Sequence, residues 1–283
     1  MSGRYAPPVA IVLSLLSSVL WGGADFMGGL VSRRRPALVV VGWSAGFGFA
    51  FSSVAVAVWE GWHAPLGWLP WGMAAGAAGA LGLYCYYLAL ATGTMGVVAP
   101  VTSLGVLVPI VFGFIVGEVP TTVAIVGMGV ALLGIVLTSG PEFSGDSSPR
   151  PVLIAALAGL FFGVFFVFAD HGSEDSPLLT LWAMRMTVAT AFVLVALFRR
   201  TTGGVEPSDY GWLIVIAAGD LAANLFFAIA STMGYVSITS VLSSLFPVVT
   251  VLLARAVLKE RLRHVQIIGT GVTMLGVALI SAT

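Results

Sequence analysis

The sequence predicts an all-α integral membrane protein with ten transmembrane helices, arranged as two inverted repeats of five helices. Three observations support this fold class. Hydrophobic residues make up 59% of the 283-residue chain and charged residues only 8%, whereas soluble domains carry about 25% charge. Apolar stretches long enough to cross a bilayer occur ten times along the chain. Residue patterns of the first half return in the second half.

The ten apolar stretches are separated by charges, prolines or turn residues. The predicted spans are 9–31, 37–59, 68–91, 95–117, 121–139, 151–170, 177–198, 211–232, 235–258 and 264–282. They lack the alternation of polar and apolar residues that a transmembrane β-barrel needs, so we expect helices, whose backbone groups are hydrogen-bonded within the segment. The first stretch is longer than the apolar region of a signal peptide, about 7–15 residues, and we expect it to be retained.

The internal repeat is clearest around the fourth and ninth spans. The matching pairs are Met95 and Met233, Gly96 and Gly234, Val98 and Val236, Pro109 and Pro247, and Glu118 and Glu260. The first four pairs share one offset, and the offset of the glutamates is four residues longer, about one helical turn. A unit of five spans ends on the side of the membrane opposite to its start, so its second copy is inverted. We predict a first repeat at 1–140, a linker at 141–150 and a second repeat at 151–283.

Composition and motifs exclude several classes of function. The 12 Lys and Arg residues balance the 12 Asp and Glu residues, so there is no basic field to attract nucleic acid. With a single cysteine, Cys85, and three scattered histidines, we expect neither an intrachain disulfide nor a metal site. The chain also lacks a phosphate-binding loop and the nucleophile motif of common hydrolases. We therefore predict no enzyme and no cofactor, and a carrier driven by a gradient, since inverted repeats are typical of secondary transporters.

Particular motifs resemble a known family. They are Trp21-Gly22 in span one, Trp182-x-x-Arg185 in span seven, and the terminal block with Pro247, Glu260, Gly269-x-Gly271 and Leu275-Gly276. These residues resemble the EamA-type family of the drug/metabolite transporter superfamily, and the resemblance extends over essentially the whole chain. It implies a ten-helix carrier of the inner membrane, often an exporter of amino acids or other small metabolites. The first half departs from the pattern, because Gly46 stands at the position that corresponds to Arg185.

Charged side chains inside the spans indicate a binding site. An arginine or aspartate at the centre of a span costs about 2.5–3.5 kcal/mol on insertion scales, so it should face a partner or a hydrated cavity. We predict a substrate site near the midplane between the halves, built from Trp21, Asp25, Tyr86, Arg185, Asp220 and Asn224. Arg185 is expected to meet a substrate carboxylate or to be held by Asp220, and Asp25 to meet an amino group or a proton. Pro109 and Pro247 are candidate hinges.

The same residues also have structural interpretations. Arg185 and Asp220 can form an ion pair without contacting substrate. The stripe of Ser14, Ser18, Trp21 and Asp25 along span one can be a helix-packing seam, since small residues let membrane helices approach closely. Tyr86 suits a membrane interface as well as a cavity, and the two prolines can be ordinary kinks. The sequence leaves these alternatives open.

Orientation and partners complete the predictions. Of the eleven basic residues other than Arg185, ten fall on one side of the membrane, so the positive-inside rule places both termini outside. The family resemblance implies the reverse. As partners we expect a small-molecule substrate, with protons as a candidate, and the lipid bilayer of the cell membrane, in a monomer or weak homo-oligomer. The alternative function is a membrane-embedded interaction or lipid-handling protein without solute turnover.

Overall fold

The described part of the chain is entirely helical in its regular structure. The computed structural model describes residues 7–32, 34–59, 66–92, 101–102, 104–138, 149–201, 203–258 and 264–281. Over these ranges no strand occurs, which confirms the all-α prediction. The α-helices are α1 (Pro8–Ser32), α2 (Ala37–Trp59), α3 (Trp68–Thr92), α4 (Leu107–Ile115), α5 (Thr122–Thr138), α6 (Pro149–Asp175), α7 (Pro177–Arg199), α8 (Pro207–Met233), α9 (Val236–Ser243), α10 (Phe246–Leu258) and α11 (His264–Ser281). A 3₁₀ turn at Leu104–Val106 precedes α4.

The helices have the lengths and compositions of membrane spans. Helices α1, α2, α6, α7 and α8 are long and apolar enough to cross a bilayer, and α3 has 25 residues. The remaining apolar helices are shorter. With α9 and α10 counted as one interrupted span, the described helices correspond to the ten predicted spans and confirm the ten-helix prediction. The first part of span four and most of the predicted linker lie outside the described residues, and α6 begins at Pro149.

Both prolines proposed as hinges lie about one helical turn after an interruption of their span. Pro247 is the second residue of α10, and α9 ends at Ser243, four residues earlier. Pro109 is the third residue of α4, and the 3₁₀ turn contains Gly105 at the same distance. A proline has no N–H for the carbonyl four residues before it, and its ring crowds that carbonyl. The break therefore falls before the proline, where that hydrogen bond is missing.

The largest helix contacts join the first half of the chain to the second. Helix α1 packs against α8, α3 against α6 and α7, α2 against α7, and α5 against α11. Exchanging the two halves converts the α1–α8 contact into the α3–α6 contact and the α3–α7 contact into the smaller α2–α8 contact, and it leaves the α2–α7 and α5–α11 contacts unchanged. The packing therefore has the pseudo-twofold symmetry that the repeat predicts.

The direction of corresponding helices shows that the repeat is inverted. Glu118, just after α4, accepts a 2.6 Å hydrogen bond from the backbone N–H of Val236, the first residue of α9. Trp182, near the start of α7, donates through Nε1 to the Ser53 hydroxyl near the end of α2, over 2.9 Å. In each case the end of a helix meets the start of its counterpart. Corresponding helices are therefore antiparallel, as inversion requires.

Helices α5 and α11 meet along a seam of small residues. A Cβ atom on Gly134 would collide with the backbone of Thr273, and one on Gly276 would collide with the backbone of Ala131. Gly134 and Gly276 are corresponding residues of the repeat, so the seam is symmetric. Small residues allow membrane helices to pack closely, and this explains the glycines in the terminal block of each half.

Candidate functional site

Four side chains form a hydrogen-bonded group near the middle of α1, α7 and α8. We call Trp21, Arg185, Asp220 and Asn224 the polar centre. Trp21 and Asp220 are central in α1 and α8, and Arg185 lies in the first half of α7. Trp21 Nε1 donates a 3.0 Å hydrogen bond to Asp220 Oδ1, and Arg185 Nη1 lies 2.6 Å from Asp220 Oδ2. The polar centre therefore lies at mid-depth, where the two halves meet.

The Asp220 carboxylate connects the members of the polar centre. Besides Trp21 and Arg185, it accepts a hydrogen bond of 3.0 Å from Asn224 Nδ2, which also donates to the Asp220 backbone carbonyl over 2.7 Å. Donors from three helices thus converge on one carboxylate. Because one donor is a guanidinium, the pair carries no net formal charge. The ion pair between Arg185 and Asp220, left open by the sequence, is present in the structure.

Helix α2 leaves room for Arg185 because it carries a glycine, Gly48, at this contact. A Cβ atom on Gly48, in the middle of α2, would lie 3.2 Å from Arg185 Cδ, so a larger residue would press on the guanidinium stem. Arg185 Nε is buried and makes no hydrogen bond with the described residues. Only 13% of the Arg185 side chain is exposed. The arginine is therefore enclosed, with its contact to Asp220 as its one ion pair among the described residues.

The polar face of α1 is buried in the first half of the helix and exposed in the second. Ser14 and Ser18 are buried on this face. Asp25 and Gly29, further along the same face, are exposed. The exposed apolar residues Val12, Leu16 and Val19 mark the other side of α1, which faces lipid. The exposed part of this face therefore begins at about Asp25 and continues toward the end of α1.

Asp25 lies on this open surface without a partner. It shares the polar face of α1 with Trp21, and it lies near Asp220 on α8 and Tyr86 on α3. Among the described residues Asp25 makes no hydrogen bond and no ion pair. Asp220, by contrast, is paired with Arg185. Asp25 is therefore an exposed carboxylate that pairs with no cation among the described residues.

Aromatic rings surround the polar centre on the side away from α2. The Trp21 ring packs against Phe165, Phe166, Phe227 and Phe246, with centroid distances of 5.9 to 6.4 Å. The Tyr86 ring packs against Phe162 at 6.4 Å. Sequence reasoning missed these phenylalanines as site residues. The available signal was the aromatic run in span six, where Phe162 corresponds to Trp21 in the repeat.

The interruption of span nine lies beside this site. Phe246, the first residue of α10, contacts Trp21, and the Thr250 hydroxyl donates to the Gly22 carbonyl over 3.1 Å. A Cβ atom on Gly22 would collide with Val249, so α1 and α10 are in close contact here. A change in angle at the break between α9 and α10 would therefore move a ring that touches the polar centre.

The comparisons with known proteins establish the family. Residues 8–140 and residues 149–282 each match the EamA-like transporter family. The chain belongs to the EamA-like transporter family. The two matches confirm both the resemblance and the duplication of the whole chain. A solved structure described as "Crystal structure of protein" matches this EamA-like transporter with a TM-score of 0.75 and 20% identity over 95% of each chain, which shows the fold alone. No curated protein matches the sequence.

This EamA-like transporter brings the six predicted site residues into one region. Four of them form the polar centre, and Asp25 and Tyr86 lie next to it on α1 and α3. A separate apolar groove of about 280 Å³ lies between α2, α3 and α7, lined by Gly42, Tyr84 and Phe192 among others. It contains none of the six residues. Tyr84, beside Tyr86 in sequence, therefore faces this groove and not the polar centre.

Proposed function

We propose that the protein is a secondary, gradient-driven transporter that exports small polar or amphipathic metabolites, such as amino acids, by alternating access. One observation supports this above all: a polar centre at mid-depth, built from both halves of an inverted repeat. In such repeats the substrate site lies between the halves near the midplane. Keeping charged groups there is costly unless they face a partner or water, and Asp25 beside them is exposed.

The six residues have distinct roles in this proposal. Trp21 and Tyr86 provide rings and polar hydrogens for the body of the substrate. Asp25 meets an amino group or a proton. Arg185 is paired with Asp220 and, together with Asn224, makes this part of the site polar. Pro109 and Pro247 lie next to the two interruptions, and hinge motion there would change the packing of Phe246 on Trp21.

The energy source and the location follow from the same proposal. Because the sequence offers no phosphate-binding loop, transport is coupled to a solute or proton gradient. The cell membrane is the proposed location. No covalent chemistry is involved.

A lipid-handling function without solute turnover is the second candidate. The groove between α2, α3 and α7 supports it, because this groove is apolar and several of its residues are exposed on the outer surface. The polar centre and the exposed Asp25 favour solute transport, because a lipid chain needs neither.

Flux measurements in proteoliposomes distinguish the two candidates. Purified protein is reconstituted and efflux of a panel of labelled amino acids is followed with and without a proton gradient. We expect gradient-dependent efflux of at least one of them. Gly48→Leu crowds Arg185 and should reduce flux. The matched control is Gly129→Leu, where no atom lies within 4 Å of the Cβ position. Lipid transfer between vesicles without any solute flux would favour the second candidate.

A further inference from the structure

We infer that the transported substrate is recognised through a cationic amine at Asp25, and that a substrate carboxylate is not required. The inference rests on the proposed function and narrows its substrate class to organic cations with an apolar or aromatic body. Three features of the site support it: the charges that are already paired, the accessibility of the remaining charge, and the rings around it.

The first feature is the occupied arginine. Arg185 is the cation of the site, and its Nη1 contacts Asp220 at 2.6 Å. Its Nε is buried, and the side chain is 13% exposed. A substrate carboxylate would have to displace Asp220 from the guanidinium and leave that carboxylate with Trp21 and Asn224 alone. Among the described residues, the site therefore offers no free cation for an anionic group.

The second feature is the accessible carboxylate. Asp25 is exposed on the face of α1 that also carries Trp21, and it makes no hydrogen bond or ion pair with the described residues. The Asp220 carboxylate is already paired with Arg185, so Asp25 is the carboxylate available to a ligand. A bound ammonium group would satisfy Asp25 with a charge-assisted hydrogen bond. An anionic group at the same place would be repelled by Asp25.

The third feature is the aromatic wall. Trp21 lies one helical turn before Asp25 on α1, and its ring belongs to a cluster with Phe165 and Phe246. Organic cations bind to the faces of such rings, tryptophan most strongly. The same rings provide apolar surface for a substrate body. A carboxylate next to aromatic rings matches an amine that carries a hydrophobic group.

The experiment compares four probes of similar shape and different charge. They are phenethylamine and phenylalaninamide, which carry only the ammonium group, phenylalanine, which also carries a carboxylate, and N-acetylphenylalanine, which carries only the carboxylate. Binding to the full-length protein in nanodiscs is measured by tryptophan fluorescence, and flux is measured in proteoliposomes. We expect the two amines to bind roughly tenfold or more tightly than phenylalanine, the factor for one charged contact, and N-acetylphenylalanine not to bind.

Variants locate this preference. Asp25→Asn should abolish the preference for amines and Asp25→Glu should restore part of it. Glu174→Gln, which removes an exposed carboxylate at the end of α6, should leave it unchanged. Equal or tighter binding of phenylalanine, an amine preference that survives Asp25→Asn, or no amine binding at all would each overturn the inference. Amine binding that depends on Asp25 without flux would instead refute the proposed transport function, and flux that requires the substrate carboxylate would support transport and refute the inference.

Discussion

At the scale of single residues, the Asp220 carboxylate determines the character of the site. It accepts hydrogen bonds from α1 and α8 and pairs with the arginine of α7. Removing one member of a buried ion pair leaves an uncompensated charge, whereas removing both charges can be nearly neutral. The stability of the protein and its transport activity therefore depend on this pair in different ways.

We expect Asp220→Asn and Arg185→Gln each to lower the free energy of unfolding by about 1–3 kcal/mol, less than for a fully buried pair, because Asp220 is 28% exposed. The double variant should recover most of that stability, since no charge is left unpaired, but not the transport activity. Thermal unfolding in detergent, followed by tryptophan fluorescence, measures the first effect and flux the second. A double variant whose loss equals the sum of the single losses would show that the two residues do not stabilise each other.

The sequence could predict these residues but not their contacts. Charges within apolar spans are costly, and this alone selects Asp25, Arg185 and Asp220. Their partners depend on tertiary packing: the hydrogen bond from Trp21 to Asp220 joins residues 199 positions apart. The difference between the paired Asp220 and the exposed, unpaired Asp25 likewise depends on how α1, α7 and α8 pack. That their surroundings bind substrate stays a prediction.

At the scale of helices, the glycine seam between α5 and α11 sets the distance between two symmetric helices. We expect Gly134→Leu and Gly276→Leu to lower the free energy of unfolding by about 1–3 kcal/mol, because each new side chain collides with the backbone of the other helix. Gly129→Leu is the matched control on α5, since no atom lies within 4 Å of its Cβ position. Equal thermal stability of Gly134→Leu and Gly129→Leu would contradict the seam.

The contact between Glu118 and α9 predicts a dependence on pH. Glu118 lies between α4 and α5 and accepts hydrogen bonds from the N–H groups of Val236 and Ser237 and from the Ser237 hydroxyl. Burial raises the pKa of the Glu118 carboxyl above 4.5, although these hydrogen bonds act in the opposite direction. The folded protein therefore holds this proton more tightly than the unfolded chain. Its contribution to stability is complete below pH 4.5 and is lost as the pH rises through the raised pKa.

Replacing Glu118 tests this sign. We expect the melting temperature of the wild type to fall more steeply than that of Glu118→Gln as the pH rises from 4.5, because glutamine does not titrate. The exposed Glu174→Gln variant should follow the wild type. Identical pH profiles for wild type and Glu118→Gln would mean that the carboxyl titrates alike in the folded and unfolded states.

Helix positions were more predictable than helix interruptions. Length and apolar composition determine where a span can lie, and the predicted span 177–198 agrees with α7 to within one residue. The prolines predicted where spans four and nine are disturbed, but each break precedes its proline by about a turn. The physical reason is that proline affects the carbonyl four residues earlier.

At the scale of the whole molecule, the exposed residues of the polar face of α1, Asp25 and Gly29, lie toward one side of the membrane. This is the side at the end of α1, where Arg35 forms ion pairs with Glu206 at 2.7 Å and Asp209 at 2.8 Å. On the opposite side all eight residues of α9 are buried. The side at the end of α1 is also the side on which the basic residues concentrate, and the positive-inside rule predicts that it is cytoplasmic.

Two measurements determine the orientation and the accessible side together. In a Cys85→Ser background, Gly29→Cys should react with a membrane-impermeant maleimide only from the cytoplasmic side, and the buried Ser18→Cys from neither. A reporter fused after Thr283 should be active as a periplasmic or extracellular fusion. A reporter active only in the cytoplasm, with Gly29→Cys labelled from outside, would mean that the orientation implied by the family overrides the charge count.

The exchange of helix contacts between the halves has a consequence for biosynthesis. Helix α1 packs on α8 and α3 on α6, so neither half contains the main packing partners of its own helices. Until the second half has been translated, α1 lies in the membrane without its partner α8, and Asp25 and Trp21 are exposed to lipid or to the insertion machinery. Each half expressed alone should therefore be degraded, and co-expression of 1–140 with 149–283 should restore both fragments in a complex. The repeats are duplicated units of sequence, but they fold as one.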